Sequence, residues 1–243
     1  MGTMIRGRVL AVLLAGAAAS AQAPAGHAWD GEKVMLAYCI AGQGCTGQLS
    51  EVAMDDLQLL LPGTEAMRNA PNPVLVFPRN KAGEWTYYVD TRRQLGELHR
   101  EFGGQGQPVI ALFPPTLPGA IEPRDGHWQV TADAQPQVRN CLPGVAAALR
   151  GRTAMVRSGP MAFKRPFHGR QLIDNPSMRW IMTAPNRYTA ALQATGAQAM
   201  GFRYEIRVLG EDRMEGQSRV QVDIPGQKTC SITTPFRYQR TAG

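Results

Sequence analysis

The most regular pattern in the chain is an alternation of apolar and polar residues over positions 201–238. Phe202 and Tyr204 take one parity, while Arg203 and Glu205 take the other. The same alternation resumes twice, once after an acidic turn and once after a proline–glycine pair. A period of two is that of a β-strand with one buried face, so this stretch predicts three successive strands.

Segments ahead of this stretch also favour strands, and their connections are short and rich in Gly, Pro and Asn. Short connections imply antiparallel neighbours rather than crossovers. We therefore predict an antiparallel meander of six to eight strands with one face in solvent. The strands predicted before residue 201 cover residues 154–157, 161–165, 170–173, 179–183 and 187–194.

Two residue pairs predict turns in this half of the chain. Asp125-Gly126 favours positive φ, which predicts a hairpin between Ile121 and residues 128–130. In Pro185-Asn186, proline fixes φ near −65°, which excludes a type I′ turn and predicts a wider loop.

Three helices are predicted. Ser50 is placed to cap the first, which ends before Pro62, and Thr91 with Gln94 has the spacing of a capping box for the second. The third begins at Pro143 and is apolar on most sides, which suits it to cover the sheet. Residues 74–77 and 85–89, joined by a glycine-containing turn, predict a hairpin between the first two helices.

Together these elements predict an α+β protein. An antiparallel β-meander sheet in the C-terminal half is covered by a short helix, and a smaller mixed α/β lobe forms the N-terminal part. The predicted division is an export signal over residues 1–23, a lobe over residues 24–115 and a sheet domain over residues 116–243. The alternative is one continuous domain over residues 32–240.

The first 23 residues have the composition of an export signal. Two arginines, Arg6 and Arg8, precede an apolar run that is too short to span a bilayer, and small residues suited to cleavage follow it. The sequence therefore predicts a periplasmic or secreted protein without a transmembrane segment in its mature form.

Four cysteines in an exported chain of 243 residues predict disulfide bonds. The short flexible stretch between Cys39 and Cys45 favours a bond between them, which leaves Cys141 for Cys230. The cysteines form no close cluster of the kind that binds zinc, so we expect no metal site, and no motif indicates a cofactor.

The formal charge of +7 is spread along the chain without a basic run, so a nucleic-acid partner is not indicated. On the polar parity of the meander, ion pairs between strands would account for most of the arginines, including Arg203 and Arg207. The alternative is a basic face that contacts an anionic envelope lipid or polysaccharide.

Candidate binding residues come from the apolar parity and from one basic loop. Trp180, Phe202 and Tyr204 would line a cavity for an apolar ligand or fill an ordinary core. His168 and Arg170 lie in a cation-rich loop that would suit an anion, or would simply be a solvated loop.

Sequence motifs for catalysis are absent. The chain contains no Gly-x-Ser-x-Gly motif, and its four histidines show no metal-binding spacing. We therefore expect a non-enzymatic envelope protein that binds an apolar or anionic envelope molecule or a partner protein. The alternatives are a hydrolase or other enzyme whose site assembles in space near His168 or His99, and a structural or assembly factor.

Overall fold

A computed structural model of the chain describes residues 33–111, 115–133, 135–150, 156–173, 175–194, 200–223, Gly226 and residues 228–241. The export signal predicted over residues 1–23 lies outside these residues. The described part is mostly β-structure with few helices, and its strands form two sheets.

The first sheet has five strands in the order β4-β3-β1-β2-β5. Its central strand, β1, is antiparallel to β2 and parallel to β3, so the sheet is mixed. The strands β3 and β4 pair in an antiparallel manner, which confirms the predicted hairpin. The strands are β1 (Lys33–Ile40), β2 (Gly44–Ala53), β3 (Val74–Arg79), β4 (Tyr88–Asp90) and β5 (Ile110–Ala111).

Two helices accompany the first sheet, α1 (Met54–Leu60) and α2 (Leu95–Glu101). The predicted cap of α1 was wrong. Ser50 lies inside β2, and its hydroxyl accepts a hydrogen bond from the backbone N–H of Val52 at 2.8 Å. Because β2 stays paired with β1 as far as Ala53, the helix begins only after that residue.

The predicted capping box of α2 was wrong by three residues. Gln94, rather than Thr91, is the cap, and it forms the box with Glu97. The carboxylate of Asp90 accepts hydrogen bonds from the backbone N–H groups of Arg92 and Arg93 at 2.9 and 2.8 Å. These bonds hold the residues after β4 in a turn, so the helix starts later than the sequence indicates.

The second sheet is antiparallel throughout and has the order β8-β6-β13-β12-β11-β10-β9, with β7 paired to β13. Five consecutive strands, from β9 to β13, pair in chain order as antiparallel neighbours, fewer than the six to eight strands predicted for the meander. A third helix, α3 (Pro143–Arg150), begins at the predicted proline. The strands are β6 (Gly126–Ala132), β7 (Gln137–Arg139), β8 (Gly159–Met161), β9 (Arg179–Ala184), β10 (Arg187–Ala194), β11 (Met200–Gly210), β12 (Arg213–Val222) and β13 (Cys230–Thr241).

Both predicted turns were wrong. Gly126 begins β6, which pairs with β13 and β8 instead of folding back toward Ile121. The loop at Pro185-Asn186 has just two residues, between β9 and β10. Asn186 has φ of 65°, as the second central residue of a type II turn requires, and a bulge between Arg187 and Tyr188 follows it.

Two of the strands predicted ahead of β9 were also wrong. Residues 170–173 overlap a 3₁₀ helix, Gly169–Gln171, and residues 161–165 contribute only their first residue to β8. Of the strand predicted over residues 154–157, residues 154 and 155 lie outside the described part of the chain. Phe163, Leu172 and Ile173 of the first two segments are buried in the main core and lie outside the strands.

The two sheets share one apolar core. Leu36, Tyr38 and Phe77 of the first sheet belong to the same buried cluster as Ile181 and Tyr204 of the second. The hydroxyl of Tyr38 donates a buried hydrogen bond of 2.8 Å to the carbonyl of Met182 in β9. Residues 31–243 accordingly group into a single compact unit, and the domain boundary between residues 115 and 116 stays a prediction.

The apolar face of the meander has two covers. Ala146 of α3 packs against Val220, Val222 and Ile232 at one end of the face. The other is the segment of residues 159–173, whose apolar side chains are buried in the main core and which packs against Tyr188. These side chains are Phe163, Phe167, Leu172 and Ile173.

Both predicted disulfide bonds are present. Cys39 and Cys45 face each other across β1 and β2, and Cys141 is bonded to Cys230 of β13. Disulfides persist in oxidising compartments, so the two bonds indicate an extracytoplasmic environment. In the described part of the chain, no helix has the length and apolar character that crossing a bilayer demands.

Candidate functional site

The structure brings His168, Trp180 and Arg170 together at one edge of the meander. The rings of His168 and Trp180 lie 6.2 Å apart, and the His168 ring lies 5.1 Å from that of Tyr188. The Arg170 backbone N–H donates to Nδ1 of His168 at 3.2 Å. His168 is only 7% exposed, so the interpretation of this residue as part of a solvated loop was wrong.

The environment of His168 favours the neutral imidazole. Burial, with a smaller contribution from the nearby Arg170 cation, lowers the pKa of His168 to about 3. The Arg170 guanidinium points elsewhere and forms two hydrogen bonds of 3.0 Å to the carboxylate of Glu51 in β2. Arg170 therefore joins the 3₁₀ helix to the first sheet.

Phe202 and Tyr204 lie on the apolar face of β11. Tyr204 is fully buried, and Phe202 is partly buried beside both the main core and the cluster under α3. In the strand register Tyr204 lies opposite Ala190, which lies opposite Trp180, so Tyr204 and Trp180 occupy one row across the sheet. The ring of His168 packs against Trp180 in this row.

His99 on α2 is buried against the Cys39–Cys45 hairpin. Its Nδ1 lies 3.0 Å from the backbone nitrogen of Cys45, and its Nε2 lies 3.3 Å from the carbonyl of Gln105. Both ring nitrogens thus contact backbone atoms. In the described residues, neither His99 nor His168 has a hydrogen bond to a carboxylate.

A cleft of about 630 Å³ lies on the polar face of the meander, opposite the face that sequence analysis favoured. Trp85, Thr86 and Tyr87, from the connection between β3 and β4, form one wall. The floor is formed by side chains on the polar face of β10 to β13. We call this the arginine cleft, and its charged and amide side chains are Arg187, Arg203, Arg207, Arg237, Glu205, Glu215 and Gln217.

The strand register places like charges opposite each other on this face. Arg187 of β10 is the direct partner of Arg207 on β11, and Arg203 of β11 is the direct partner of Arg219 on β12. Directly opposed like charges destabilise a sheet, whereas opposite charges stabilise it. The two facing pairs are therefore unfavourable features of the free protein.

Two carboxylates partly neutralise these arginines. Glu205 forms an ion pair of 3.1 Å with Arg203 and accepts a hydrogen bond of 2.7 Å from the Gln217 amide. Glu215 lies 3.9 Å from Arg207. Within the part of the chain that the structure describes, Arg187 and Arg237 have no ion pair.

Arg203 has an unsatisfied donor. Its Nε is buried and has no hydrogen-bond partner among the described residues. The same side chain lines a second cavity of about 460 Å³, together with Arg219 and Phe202, so Arg203 lies where the two cavities meet. A buried donor without a partner costs about 1–3 kcal/mol, and an anionic ligand would supply the partner.

The aromatic wall is positioned by a compact turn. Asn80 Oδ1 accepts from the backbone N–H of Glu84 at 2.8 Å, and the Asn80 N–H donates to the Glu84 carbonyl at 2.8 Å. The Tyr87 hydroxyl donates to the carbonyl of Pro62 at 2.9 Å, which ties the wall to the residues after α1. Trp85 packs edge-on against the core residue Tyr38 and also faces the cleft.

Comparison of the chain with protein-family models, with curated proteins and with solved structures finds no match. Candidate chemistry therefore comes from the geometry alone. Among the described residues, no group of three or more His, Cys, Asp or Glu side chains is placed to hold a metal ion.

The sequence pattern predicted ion pairs for Arg203 and Arg207, and both have carboxylate partners, but it did not single out Arg187 or Arg237. The parity of each strand is visible in the sequence, whereas the register that sets Arg187 against Arg207 is not. Trp85 was likewise visible as part of a hairpin, but its position over a distant strand face depends on how the two sheets pack.

Proposed function

We propose that the protein is a non-enzymatic, exported protein of the cell envelope that binds an anionic envelope molecule in the arginine cleft. The observation that carries this proposal is the pair of arginines, Arg187 and Arg207, that face each other across adjacent strands. An anion between two guanidinium groups would remove their repulsion and satisfy their donors in forked geometry.

Burial favours the polar face over the apolar face as the ligand site. Trp180 and Tyr204, which would line an apolar cavity, are 7% and 0% exposed and are covered by other side chains of the chain. Arg187, Arg207 and Arg237 are exposed and border an open cleft. A ligand can reach these arginines without unfolding any part of the core.

The geometry of the histidines supports binding rather than catalysis. A general acid or base must lie within hydrogen-bond reach of the group that it protonates, in a site that a substrate can enter. His168 and His99 are both buried, and both ring nitrogens of His99 and Nδ1 of His168 contact backbone atoms. The function therefore rests on the exposed charged groups.

The test is binding of the purified protein to a panel of anionic materials with neutral counterparts. Immobilised polygalacturonate, dextran sulfate and phosphatidylglycerol vesicles would be compared with dextran and phosphatidylcholine vesicles. We expect binding to at least one anionic material that weakens as salt is raised. The double variant Arg187→Ala/Arg237→Ala should weaken it at least tenfold.

The matched control is Arg92→Ala/Arg100→Ala, which removes the same charge from exposed arginines beside and within α2, away from the cleft. Equal losses in the two double variants would show that net charge alone drives binding. No binding of the unaltered protein to any anionic material would overturn the proposed function.

A further inference from the structure

The two facing arginine pairs are well separated along one strand. Arg203 and Arg207 lie on the same face of β11, four residues apart, and each faces an arginine of a neighbouring strand. With a rise of roughly 3.4 Å per residue, the two pairs are about 14 Å apart. A single carboxylate, sulfate or phosphate cannot contact both pairs.

Two separate cavities border each other at Arg203. Arg203 lines both the arginine cleft and the second cavity, which extends past Arg219 toward Gln221 and Asp223. We call the two cavities together the groove, and their lining residues extend across β10 to β12. An extended ligand could occupy both parts, with Arg203 in contact with it near the middle.

Carboxylates in the groove narrow the ligand chemistry. Glu205 lies between Arg203 and Arg207 on β11, and Glu215 lies beside Arg207. Both would repel a ligand that carries only acidic groups, but both can accept hydrogen bonds from hydroxyl groups. A matching ligand therefore presents hydroxyl groups between its acidic groups.

The aromatic wall further restricts the class of ligand that fits the groove. Trp85 and Tyr87 offer flat apolar surfaces beside the charged floor, and the exposed fraction of Tyr87 is 37%. A pyranose ring has an apolar C–H face and a polar rim of hydroxyl groups. Stacking of that face on Trp85 would leave the rim to Glu205, Gln217 and the arginines.

We infer that the ligand is a linear acidic polysaccharide, which lies across β10 to β12 and places acidic groups at two arginine subsites. The first subsite is Arg187 with Arg207, and the second is Arg203 with Arg219. This inference rests on the proposed function and adds to it the length and the sugar chemistry of the ligand.

The experiment measures the dependence of affinity on ligand length. Isothermal titration calorimetry would compare galacturonate oligomers from the monomer to the hexamer. Once an oligomer spans both subsites, the second contact becomes intramolecular, so affinity should rise by at least tenfold over a narrow range of lengths. Short oligomers should bind weakly.

Variants of each subsite show which arginines cause the rise in affinity with oligomer length. Arg219→Ala removes one arginine of the second subsite and should abolish the rise, while the affinity of short oligomers changes less than threefold. Trp85→Ala should weaken binding at every length and leave the rise in place. Thermal unfolding of each variant checks that the fold is intact. Arg100→Ala serves as the control, and its affinities should match those of the unaltered protein.

Each outcome has a definite meaning. Affinity that is independent of length, in a protein that still binds short oligomers, would overturn the two-subsite inference and leave the proposed function standing. Inorganic polyphosphate binding as tightly as the hexamer would overturn the sugar chemistry. Binding that is confined to phosphatidylglycerol vesicles would identify a lipid headgroup instead and would also overturn the inference.

Discussion

Arg187 on β10 lies directly opposite Arg207 on β11, on the polar face of the meander. Cross-strand pairs of opposite charge contribute roughly 0.2–1 kcal/mol, and like charges act with the opposite sign. The free protein therefore carries a small energetic penalty at the place where an anion is expected to bind. Such a penalty makes stability and binding respond in opposite directions to the same substitution.

Arg187→Glu should separate these two effects. Replacing one cation by an anion opposite Arg207 should raise the free energy of unfolding by a few tenths to about 1 kcal/mol. The same change should reduce binding of an acidic polymer by more than tenfold. Urea unfolding and calorimetric titration on the same preparations measure the two effects.

Arg187→Gln is the matched control, because it removes the repulsion without adding an ion pair. It should show about half of the stabilisation. A loss of stability in the Glu variant would contradict the account of the facing pair.

Tyr38→Phe should weaken the contact between the two sheets. It removes the buried hydrogen bond from the Tyr38 hydroxyl to the Met182 carbonyl and leaves the ring in place. The expected loss in the free energy of unfolding is about 1 kcal/mol, the typical net contribution of such a bond. Urea unfolding followed by circular dichroism measures it.

Tyr87→Phe is the comparison, because the Tyr87 hydroxyl also donates to a carbonyl but lies at the surface. The free energy of unfolding should fall less in this variant, since water replaces the hydroxyl as the hydrogen-bond partner of the carbonyl. Equal losses would mean that burial of the Tyr38 bond adds nothing.

The two disulfides should differ in their contribution to stability. The cysteines of the Cys141–Cys230 bond are 89 positions apart, and those of the Cys39–Cys45 bond are 6 apart. The chain-entropy model gives about 4 to 5 kcal/mol for the long loop and about 2 kcal/mol for the short one. Paired Cys→Ala variants, unfolded under oxidising conditions, would measure both.

Mass mapping of unreduced peptides provides the check on connectivity. A peptide that links Cys141 to Cys230 is expected. Free thiols at both positions would contradict the structure, and a larger loss for the short loop would contradict the entropic account.

His168 should make stability depend on pH. Its pKa in the folded protein is about 3, against an ordinary value near 6.5, so the unfolded chain binds a proton that the folded chain does not. The stabilising contribution is complete above about pH 6.5, and it falls progressively as the pH drops toward 3. Between pH 7 and pH 5 the loss should be about 2 kcal/mol.

Urea unfolding of the protein and of His168→Gln at pH 7 and pH 5 tests this expectation. In His168→Gln, the free energy of unfolding should not show the part of the decline that His168 causes. His127→Gln, which changes an exposed histidine, should decline as the unaltered protein does. Equal declines in all three proteins would mean that His168 is accessible to protons in the folded state.

Local patterns in the sequence were sufficient to predict the meander and both disulfides. Alternation over residues 201–238 defines which side chains of β11, β12 and β13 are buried, because the period of a strand is a property of the backbone. Cys230 has the buried parity, which made its pairing with Cys141 reasonable. These features depend on neighbours that are close in the chain or joined by short turns.

Features that depend on long-range packing were missed. The 3₁₀ helix at Gly169–Gln171 looked like part of a strand, because Leu172 and Ile173 follow it and are buried in the core at positions that sequence spacing does not reveal. Ser50 looked like a helix cap, because pairing of β2 with β1 is invisible in a local window. The site was missed for the same reason, since it requires the register of four strands and a wall from the other sheet.

The wall of the arginine cleft belongs to the first sheet, and its floor belongs to the second. A ligand that contacts both Trp85 and Arg203 therefore bridges two layers of the core, and its binding free energy adds to the stability of their association. Occupancy of the cleft should slow the separation of the sheets, so that hydrogen exchange in β9, which lies next to Tyr38, would report a bound ligand.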